Sequence, residues 1–282
     1  MKKLSKDPII IIFSTLLISS LLSGCLNDIN VDEPDLTKGL VAHFTFDETA
    51  GIIAKDDSVY KINSTVYGAT WTNGKINGAL DFDGINDFVQ IPNKNSSPSD
   101  HFNQLKQGTI SFWFKSDNIP TKNAVAPLLQ YGKQTPSDVI NNANGGLIIE
   151  LGHDPLHQQS KRLYFTFFSN GCDLYPSLCY DSNYNLKEDK WYHYVAIVDY
   201  YNNIGYNTGY LNGKEMTNRH YNFGDKITAE FFNDAAINES FFLGKGFWDK
   251  EIHYFDGKLD DFRIYNRPLS SEEIIQLYNL AE

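Results

Sequence analysis

The sequence predicts a mostly β protein built from two packed antiparallel sheets, with one short helix at its C-terminal end. Three observations support this fold class. The composition includes 19 Phe and 17 Tyr but only 2 Met, which favours strands over helices. Apolar residues alternate with polar ones in several segments, as in strands that have one buried face. Asn-Gly and Asp-Gly pairs, which are typical of turns, separate these segments.

The individual elements follow from these patterns. Strands are predicted around Leu40-Ala42-Phe44-Phe46, Ile110-Phe112-Phe114 and Phe262-Ile264, and more deeply buried strands over 147–151, 163–168 and 194–198. Turns are predicted at Asn73-Gly74, Asn77-Gly78, Asp83-Gly84, Asn212-Gly213 and Asp256-Gly257. One helix is predicted after Ser270, because Ser270 and Glu273 have the spacing of a capping box ahead of an apolar stripe.

The N-terminus is predicted to be a signal peptide that is removed. Three Lys precede an uncharged apolar run over 9–22, which is shorter than the roughly 20 residues that a membrane-spanning helix needs. Leu22-Ser-Gly-Cys25 follows and resembles the bacterial lipobox, so we expect residues 1–24 to be cleaved and Cys25 to carry lipid. An ordinary signal peptide with an incidental Cys is the alternative.

Residues 25–37 are predicted to be the lipidated Cys and an acidic, solvated tether. The protein is therefore expected at the cell envelope and anchored to the membrane by lipid alone. Leu26, rather than Asp, follows the lipidated Cys, and by resemblance to sorted lipoproteins this implies the outer membrane if the organism has one.

The charge of the chain narrows the class of partner that it can bind. The chain has 24 Lys and Arg against 35 Asp and Glu, a net charge of −11, and no basic block, which argues against nucleic acid as a partner.

Cys172 and Cys179 lie close together in sequence and are predicted to form a disulfide outside the cytoplasm.

Eight blocks of sequence between residue 38 and the C-terminus carry a family resemblance. They are Gly39–Glu48, Gly74–Gly84, Asn86–Val89, Thr109–Phe114, Trp191–Ala196, Leu211–Lys214, Phe242–Gly244 and Phe255–Ser270. In this order they resemble the bacterial laminin-G-like domain, a concanavalin A-like jelly roll, over 38–282. The resemblance implies a carbohydrate-binding or protein-binding domain, often stabilised by calcium.

The same resemblance implies a structural calcium site. Asp47 ends the first strand, and the fold places Asp260 and Asp261 of the last strand beside it. Asn63 occupies a position where members of the family often have Asn or Asp. Ca²⁺ takes six to eight oxygen ligands and would relieve the repulsion between these acids. The alternative is that the acids only bind backbone amides and Arg or Lys side chains.

Loop residues are the best candidates for ligand binding. Trp248 and Asp249 lie in a charged, Gly-flanked segment, where an aromatic ring could stack on a sugar and the acid could bond its hydroxyls. The other candidates are Tyr175, Tyr180 and Tyr201. These tyrosines could equally cover the rim of the sandwich.

Catalysis is not expected. A glycosidase needs two carboxylates about 5–9.5 Å apart, and Glu150 is a single acid within an apolar strand. The sequence therefore predicts a cell-envelope lipoprotein with a non-catalytic domain that binds a polysaccharide or other glycan. The alternatives are a domain that binds a cell-surface protein and a divergent polysaccharide lyase or glycoside hydrolase.

Overall fold

A computed structural model of the protein describes residues 33–92, 102–121, 124–132, 146–154, 159–168, 177–180, 186–201, 204–217, 220–221, 231–232, 241–248 and 251–282. These residues form nineteen strands and one helix. In chain order, the strands are β1 Leu40–Phe44, β2 Ile53–Ala54, β3 Ser64–Tyr67, β4 Thr70–Asn73, β5 Gly78–Asp83, β6 Phe88–Ile91, β7 Gly108–Ser116, β8 Val125–Gly132, β9 Gly146–Asp154, β10 Gln159–Phe168, β11 Ser177–Tyr180, β12 Trp191–Tyr201, β13 Ile204–Leu211, β14 Lys214–Glu215, β15 His220–Tyr221, β16 Phe241–Leu243, β17 Lys245–Trp248, β18 Glu251–Tyr254 and β19 Asp256–Tyr265. The helix is α1, Ser271–Asn279.

Two antiparallel sheets contain all of these strands except the β17–β18 hairpin. Sheet I has eight strands in the order β14-β13-β12-β7-β19-β5-β4, with β1 also paired to β19. Sheet II has nine strands in the order β15-β11-β10-β9-β8-β16-β6-β3-β2. The predicted fold class, a two-sheet antiparallel sandwich with a short C-terminal helix, is confirmed. Pro34–Glu282 forms one compact unit.

The main core lies between the two sheets. Phe44, Phe112 and Phe262 from sheet I belong to the same buried cluster as Leu129 and Ile149 from sheet II, and each is at most 1% exposed. The Phe112 and Phe262 rings lie nearly parallel, with centroids 5.8 Å apart. The alternating aromatic positions in the sequence therefore face this core, where the burial of their rings stabilises the sandwich.

The C-terminal helix covers the outer face of sheet I. The predicted capping box is present, because the Ser270 side chain accepts a hydrogen bond from the Glu273 amide and the Glu273 carboxylate accepts one from the Ser270 amide. Ile274 and Leu277 are fully buried against a second apolar cluster that includes Tyr265. No helix among the described residues is long and apolar enough to cross a membrane.

Two details depart from the predicted pattern. The register of β1 shifts between Leu40 and Ala42, so Leu40 packs against the cluster under the helix while Ala42 enters the main core. Asp256-Gly257 opens β19 and does not form a turn. Gly257 is needed there because a Cβ atom would lie 2.2 Å from the Lys115 carbonyl oxygen. Asn212-Gly213 does form the predicted turn, with positive φ at both residues.

A bulge in β19 organises a buried polar network on the outer face of sheet I. The register against β7 shifts between Asp260 and Arg263, and Asp261 has a φ of 47°. The Arg263 guanidinium donates to both carboxylate oxygens of Asp261 at 2.9–3.1 Å, and His43 Nε2 lies 2.7 Å from Asp261 Oδ1. Although burial raises the pKa of Asp261, these partners bring it down to about 2.

His193 lies next to this network and is held neutral. Its Nε2 atom is 2.9 Å from the Ser111 hydroxyl, and its side chain is fully buried beside Trp113. Burial lowers the pKa of His193 to about 3, and the nearby charges of Asp261 and Arg263 oppose each other. His43 and His193 are therefore packed, hydrogen-bonded strand residues.

Replacing Asp261 tests the importance of this network. We expect Asp261→Asn to lower the free energy of unfolding by about 3 kcal/mol, because it leaves the buried Arg263 guanidinium without a counter-charge. Urea denaturation measures the difference. The matched control is Asp199→Asn, which removes an exposed acid from β12 and should change stability by less than about 0.5 kcal/mol. Equal stability of the two variants would contradict a stabilising role for the pair.

Candidate functional site

Several of the residues predicted to bind ligand or form bonds lie outside the described residues. These are Cys25, Cys172, Tyr175 and Asp249. The backbone places Cys179 and Tyr180 in β11 of sheet II and Trp248 at the end of β17. The lipid anchor and the disulfide therefore stay predictions.

Tyr201 is the predicted ligand residue whose side chain is described. It ends β12 in sheet I and is 66% exposed. Trp248 belongs instead to the β17–β18 hairpin, which pairs with neither sheet. The two candidates therefore sit on different parts of the sandwich and do not share a strand pair.

Two of the four predicted calcium ligands meet at the turn between β4 and β5. Asp47 Oδ1 accepts a hydrogen bond from the Gly78 amide at 2.8 Å. Asp260 Oδ2 accepts from the Lys75 and Ile76 amides, both at 2.7 Å. The other oxygen, Asp260 Oδ1, is buried and has no hydrogen-bond partner among the described residues. Burial, followed by the charges of Asp261 and Asp47, raises the pKa of Asp260 to about 7.

The other two predicted ligands have different partners. Asp261 is bound by Arg263 and His43, as described above. Asn63 Oδ1 accepts a hydrogen bond from the Asp56 amide at 3.0 Å. Within the described ranges, no three His, Cys, Asp or Glu side chains converge on a metal position. Asp47 and Asp260 therefore bind amides of the same turn, whereas Asn63 and Asp261 have partners elsewhere, and the calcium site stays a prediction.

Asp56 is a buried residue whose role the sequence analysis missed. Its two oxygens accept four hydrogen bonds at 2.7–2.8 Å, from the amides of His43, Ser58 and Ile62 and from the Ser58 hydroxyl. The carboxylate therefore ties the β2–β3 loop to β1. The Asp57-Ser-x-x-x-x-Asn63 part of this loop was visible in the sequence, and in the structure Asn63 likewise accepts from a backbone amide, that of Asp56.

The outer face of sheet II is the second candidate region. The strand registers align one row of side chains across it: Thr65, Gln90, Phe242, Gln130, Ile148 and Thr166. The β17–β18 hairpin lies on this face, because the Phe247 amide donates to Gln130 Oε1 at 2.7 Å and Gly246 packs against Pro127. A buried glutamine in the sheet thus fixes the position of the hairpin.

An aromatic cluster flanks the hairpin. The Tyr67 and Phe88 rings are stacked with centroids 4.5 Å apart, and Phe88 meets Phe242 edge-on at 5.5 Å. The ammonium of Lys245, the first residue of β17, lies 4.3 Å from the Phe88 centroid and 4.8 Å from that of Phe242. Sequence analysis missed this grouping because its members come from four different strands.

Glu150 points to the same outer face, next to Pro127 and Tyr164 in the register. It is 9% exposed, and burial raises the pKa of its carboxyl to about 8. No other charge contributes to that shift.

The titration of Glu150 makes stability depend on pH. Below the unfolded pKa, near 4.5, the carboxyl is neutral in both states. Between that value and about 8 the unfolded chain ionises while the folded chain does not, so stability falls by roughly 1.4 kcal/mol per pH unit. We expect Glu150→Gln to match the original protein at pH 4.5 and to be the more stable of the two at pH 8.

Denaturation curves across this pH range measure the effect. Glu215→Gln, a change at an exposed position in β14, is the control and should leave the pH profile unchanged. A constant difference between Glu150→Gln and the original protein at every pH would mean that Glu150 ionises normally.

Comparison with known proteins identifies the family. The family model of the concanavalin A-like lectin/glucanases superfamily, of laminin G type, matches residues 83–275. No curated protein matches the chain significantly.

Solved structures with low sequence identity share the fold. Domain 4 of an extracellular arabinanase from Geobacillus stearothermophilus, solved with arabinotriose, is 20% identical over 86% of this chain and 98% of that one, with a TM-score of 0.54. The binding domain of Paraclostridial mosquitocidal protein 1 is 18% identical over 87% and 53%, with a TM-score of 0.59. Trypanosoma rangeli sialidase, solved with sialic acid, is 18% identical over 87% and 33%, with a TM-score of 0.56. The family model matches more than half of the chain, and the solved structures share the same jelly-roll fold. The chain therefore belongs to the concanavalin A-like lectin/glucanases superfamily.

Proposed function

We propose that the protein is a non-catalytic carbohydrate-binding domain of the cell envelope, held to the membrane by lipid on Cys25. The observation that carries this proposal is the near-complete match to the arabinanase domain that was solved with arabinotriose, which this chain covers over 98% of its length. That match supports sugar binding by a domain of this size and fold. It does not extend to a particular sugar.

Aromatic surface on sheet II supports the same proposal. Tyr67 is 43% exposed and lies beside Phe88 and the hairpin that carries Trp248. Aromatic faces stack on the apolar C–H surfaces of sugar rings, and the segment around Trp248 supplies charged residues for the hydroxyls. Tyr67 therefore joins Trp248 as a proposed contact.

The absence of catalysis is part of the proposal. Glycoside hydrolysis uses two carboxylates, one as acid and one as base or nucleophile. Glu150 can serve as a proton donor, since its pKa is raised to about 8. Burial alone accounts for that shift, so the pKa of Glu150 shows no influence of a second acid among the described residues.

A glycan and polysaccharide array tests the function. We expect residues 34–282 to bind at least one glycan and Trp248→Ala to weaken that binding by about 1–3 kcal/mol. Tyr201→Ala serves as the comparison, because Tyr201 lies in the other sheet. Unchanged affinity in Trp248→Ala would remove that residue from the proposed site. A protein that binds no glycan on the array would contradict the proposed function.

A protein-binding role is the second candidate. Four apolar residues in the segments around β2 and before β6 are exposed: Ile52, Ile53, Val59 and Ile85. Exposed apolar residues can mark protein contacts when they form one patch. The structural neighbours also include the receptor-binding domain of a botulinum neurotoxin. This role would be favoured over glycan binding if the protein captured an identified envelope protein and the Val59→Ser and Ile85→Ser variants no longer bound it.

Calcium is proposed as a structural ion held by Asp47 and Asp260. The support is the buried, unpartnered Oδ1 atom of Asp260 close to a second carboxylate. When bound, the ion would neutralise these two acids and supply no chemistry of its own. Asp47 and Asp260 would then hold the β4–β5 turn against the last strand.

Chelation tests whether the protein binds calcium. We expect a chelator to lower the melting temperature and added Ca²⁺ to restore it by mass action. Asp47→Asn should remove this response, whereas Asp57→Asn, a change to an exposed acid, should retain it. A melting temperature that does not respond to chelator would leave Asp47 and Asp260 as acids that bind only backbone amides.

A further inference from the structure

Lys245 occupies an unusual position for a cation. Its side chain is half-buried, and its ammonium lies within about 6 Å of four aromatic rings, those of Phe88, Phe242, Phe247 and Tyr254. Phe88 and Phe242 come from sheet II, while Phe247 and Tyr254 come from the hairpin that covers it. The rings enclose the charge from two layers of the structure.

This ammonium has no anionic partner in the part of the chain that the structure describes. Among the described residues Lys245 forms no ion pair and no hydrogen bond, whereas the partly buried Lys258 pairs with Asp81 and Lys161 pairs with Glu188. Burial lowers the pKa of Lys245, and no neighbouring carboxylate raises it. The three N–H donors of the ammonium are therefore available to an acceptor from outside the described residues.

The surroundings specify what that acceptor can be. A cation beside aromatic faces favours a ligand that carries one negative charge on a body with apolar C–H surfaces. Tyr67 stacks one face on Phe88, which is one of the rings around the ammonium, and is 43% exposed, so it offers an accessible aromatic ring at the edge of this cluster. A pyranose ring with a carboxylate meets both requirements, since the ring can stack and the carboxylate can pair with Lys245.

We propose that Lys245, with Tyr67, Phe88 and Phe242, forms a subsite for a uronic acid residue of an anionic glycan. This inference rests on the proposed function and names the class of sugar that the domain recognises. The carboxylate accepts hydrogen bonds from the Lys245 ammonium, and the sugar ring packs on Tyr67. The protein has a net charge of −11, so the Lys245 ammonium offsets, at this subsite, the repulsion between the protein and an acidic ligand.

The test compares each ligand with its own neutral form. Oligogalacturonides and glucuronate-containing oligosaccharides are titrated into residues 34–282 by calorimetry, alongside the same oligosaccharides after reduction of their carboxyl groups. We expect the acidic form to bind about tenfold more tightly than the reduced form. This preference should shrink as salt is raised from about 0.05 M to about 0.5 M, because salt screens the ion pair.

Two variants separate charge from shape. Lys245→Met keeps a long apolar side chain and should bring the affinity for the acidic form down to that for the reduced form. Lys245→Arg should retain the preference. The matched control is Lys106→Met, which removes an exposed lysine whose ammonium lies 5.9 Å from the ring centroid of Tyr200. Equal melting temperatures of the variants would show that each is folded.

The outcomes distinguish this inference from the proposed function. Binding of neutral glycans without any preference for the acidic forms, or an unchanged preference in Lys245→Met, would overturn the uronic acid subsite and leave carbohydrate binding intact. A preference for sulfated over carboxylated sugars would also overturn it. Failure to bind any glycan on the array or in these titrations would overturn both.

Discussion

Because Leu259 and Phe262 both enter the main core, the two acids between them must share the outer side of sheet I. Residues three apart in a regular strand face opposite sides, so this arrangement requires an extra residue. The bulge at Asp261 provides it, with a positive φ that Asp tolerates better than most residues. Without the bulge, a strand with Leu259 in the core would turn Asp261 into the core and Phe262 to the outer face.

The bulge places two neighbouring acids in surroundings that shift their pKa values in opposite directions. Asp261 is paired with Arg263 and stays ionised, whereas Asp260 is buried against backbone amides and takes up its proton near neutral pH. The difference in pKa comes from the groups that each carboxylate contacts and not from the extent of burial, since both side chains are buried. Adjacent carboxylates can therefore fulfil separate roles, one stabilising the sheet and the other available to a cation or proton.

Structural features that depend on residues close together in the sequence could be predicted, whereas features that depend on distant residues could not. The capping box at Ser270 and the Asn212-Gly213 turn involve neighbouring residues, and both are confirmed. The bulge was also detectable, because the apolar spacing changes from two to three between Leu259 and Phe262. The partners of Asn63 and Asp261 were missed because they depend on loop conformation and on the register of the last strand.

The site around Lys245 could not have been predicted in this way. Phe88 and Phe242 are far apart in sequence and become neighbours only when β6 pairs with β16. The hairpin then reaches them because its backbone is held by Gln130, a buried amide that looks like an ordinary polar residue of β8 in the sequence. Long-range pairing of this kind leaves no local pattern.

The described edges of the sandwich have a consequence for self-association. Sheet II ends at β15 and β2, and sheet I ends at β14 and β4, with β1 paired to one strand only, β19. β15, β2 and β14 have two residues each, while β4 has four and β1 has five. An incoming chain could form few backbone hydrogen bonds with edges this short. Many copies crowded together would therefore resist joining edge to edge into a continuous sheet, although both sheets are wide and rich in aromatic residues.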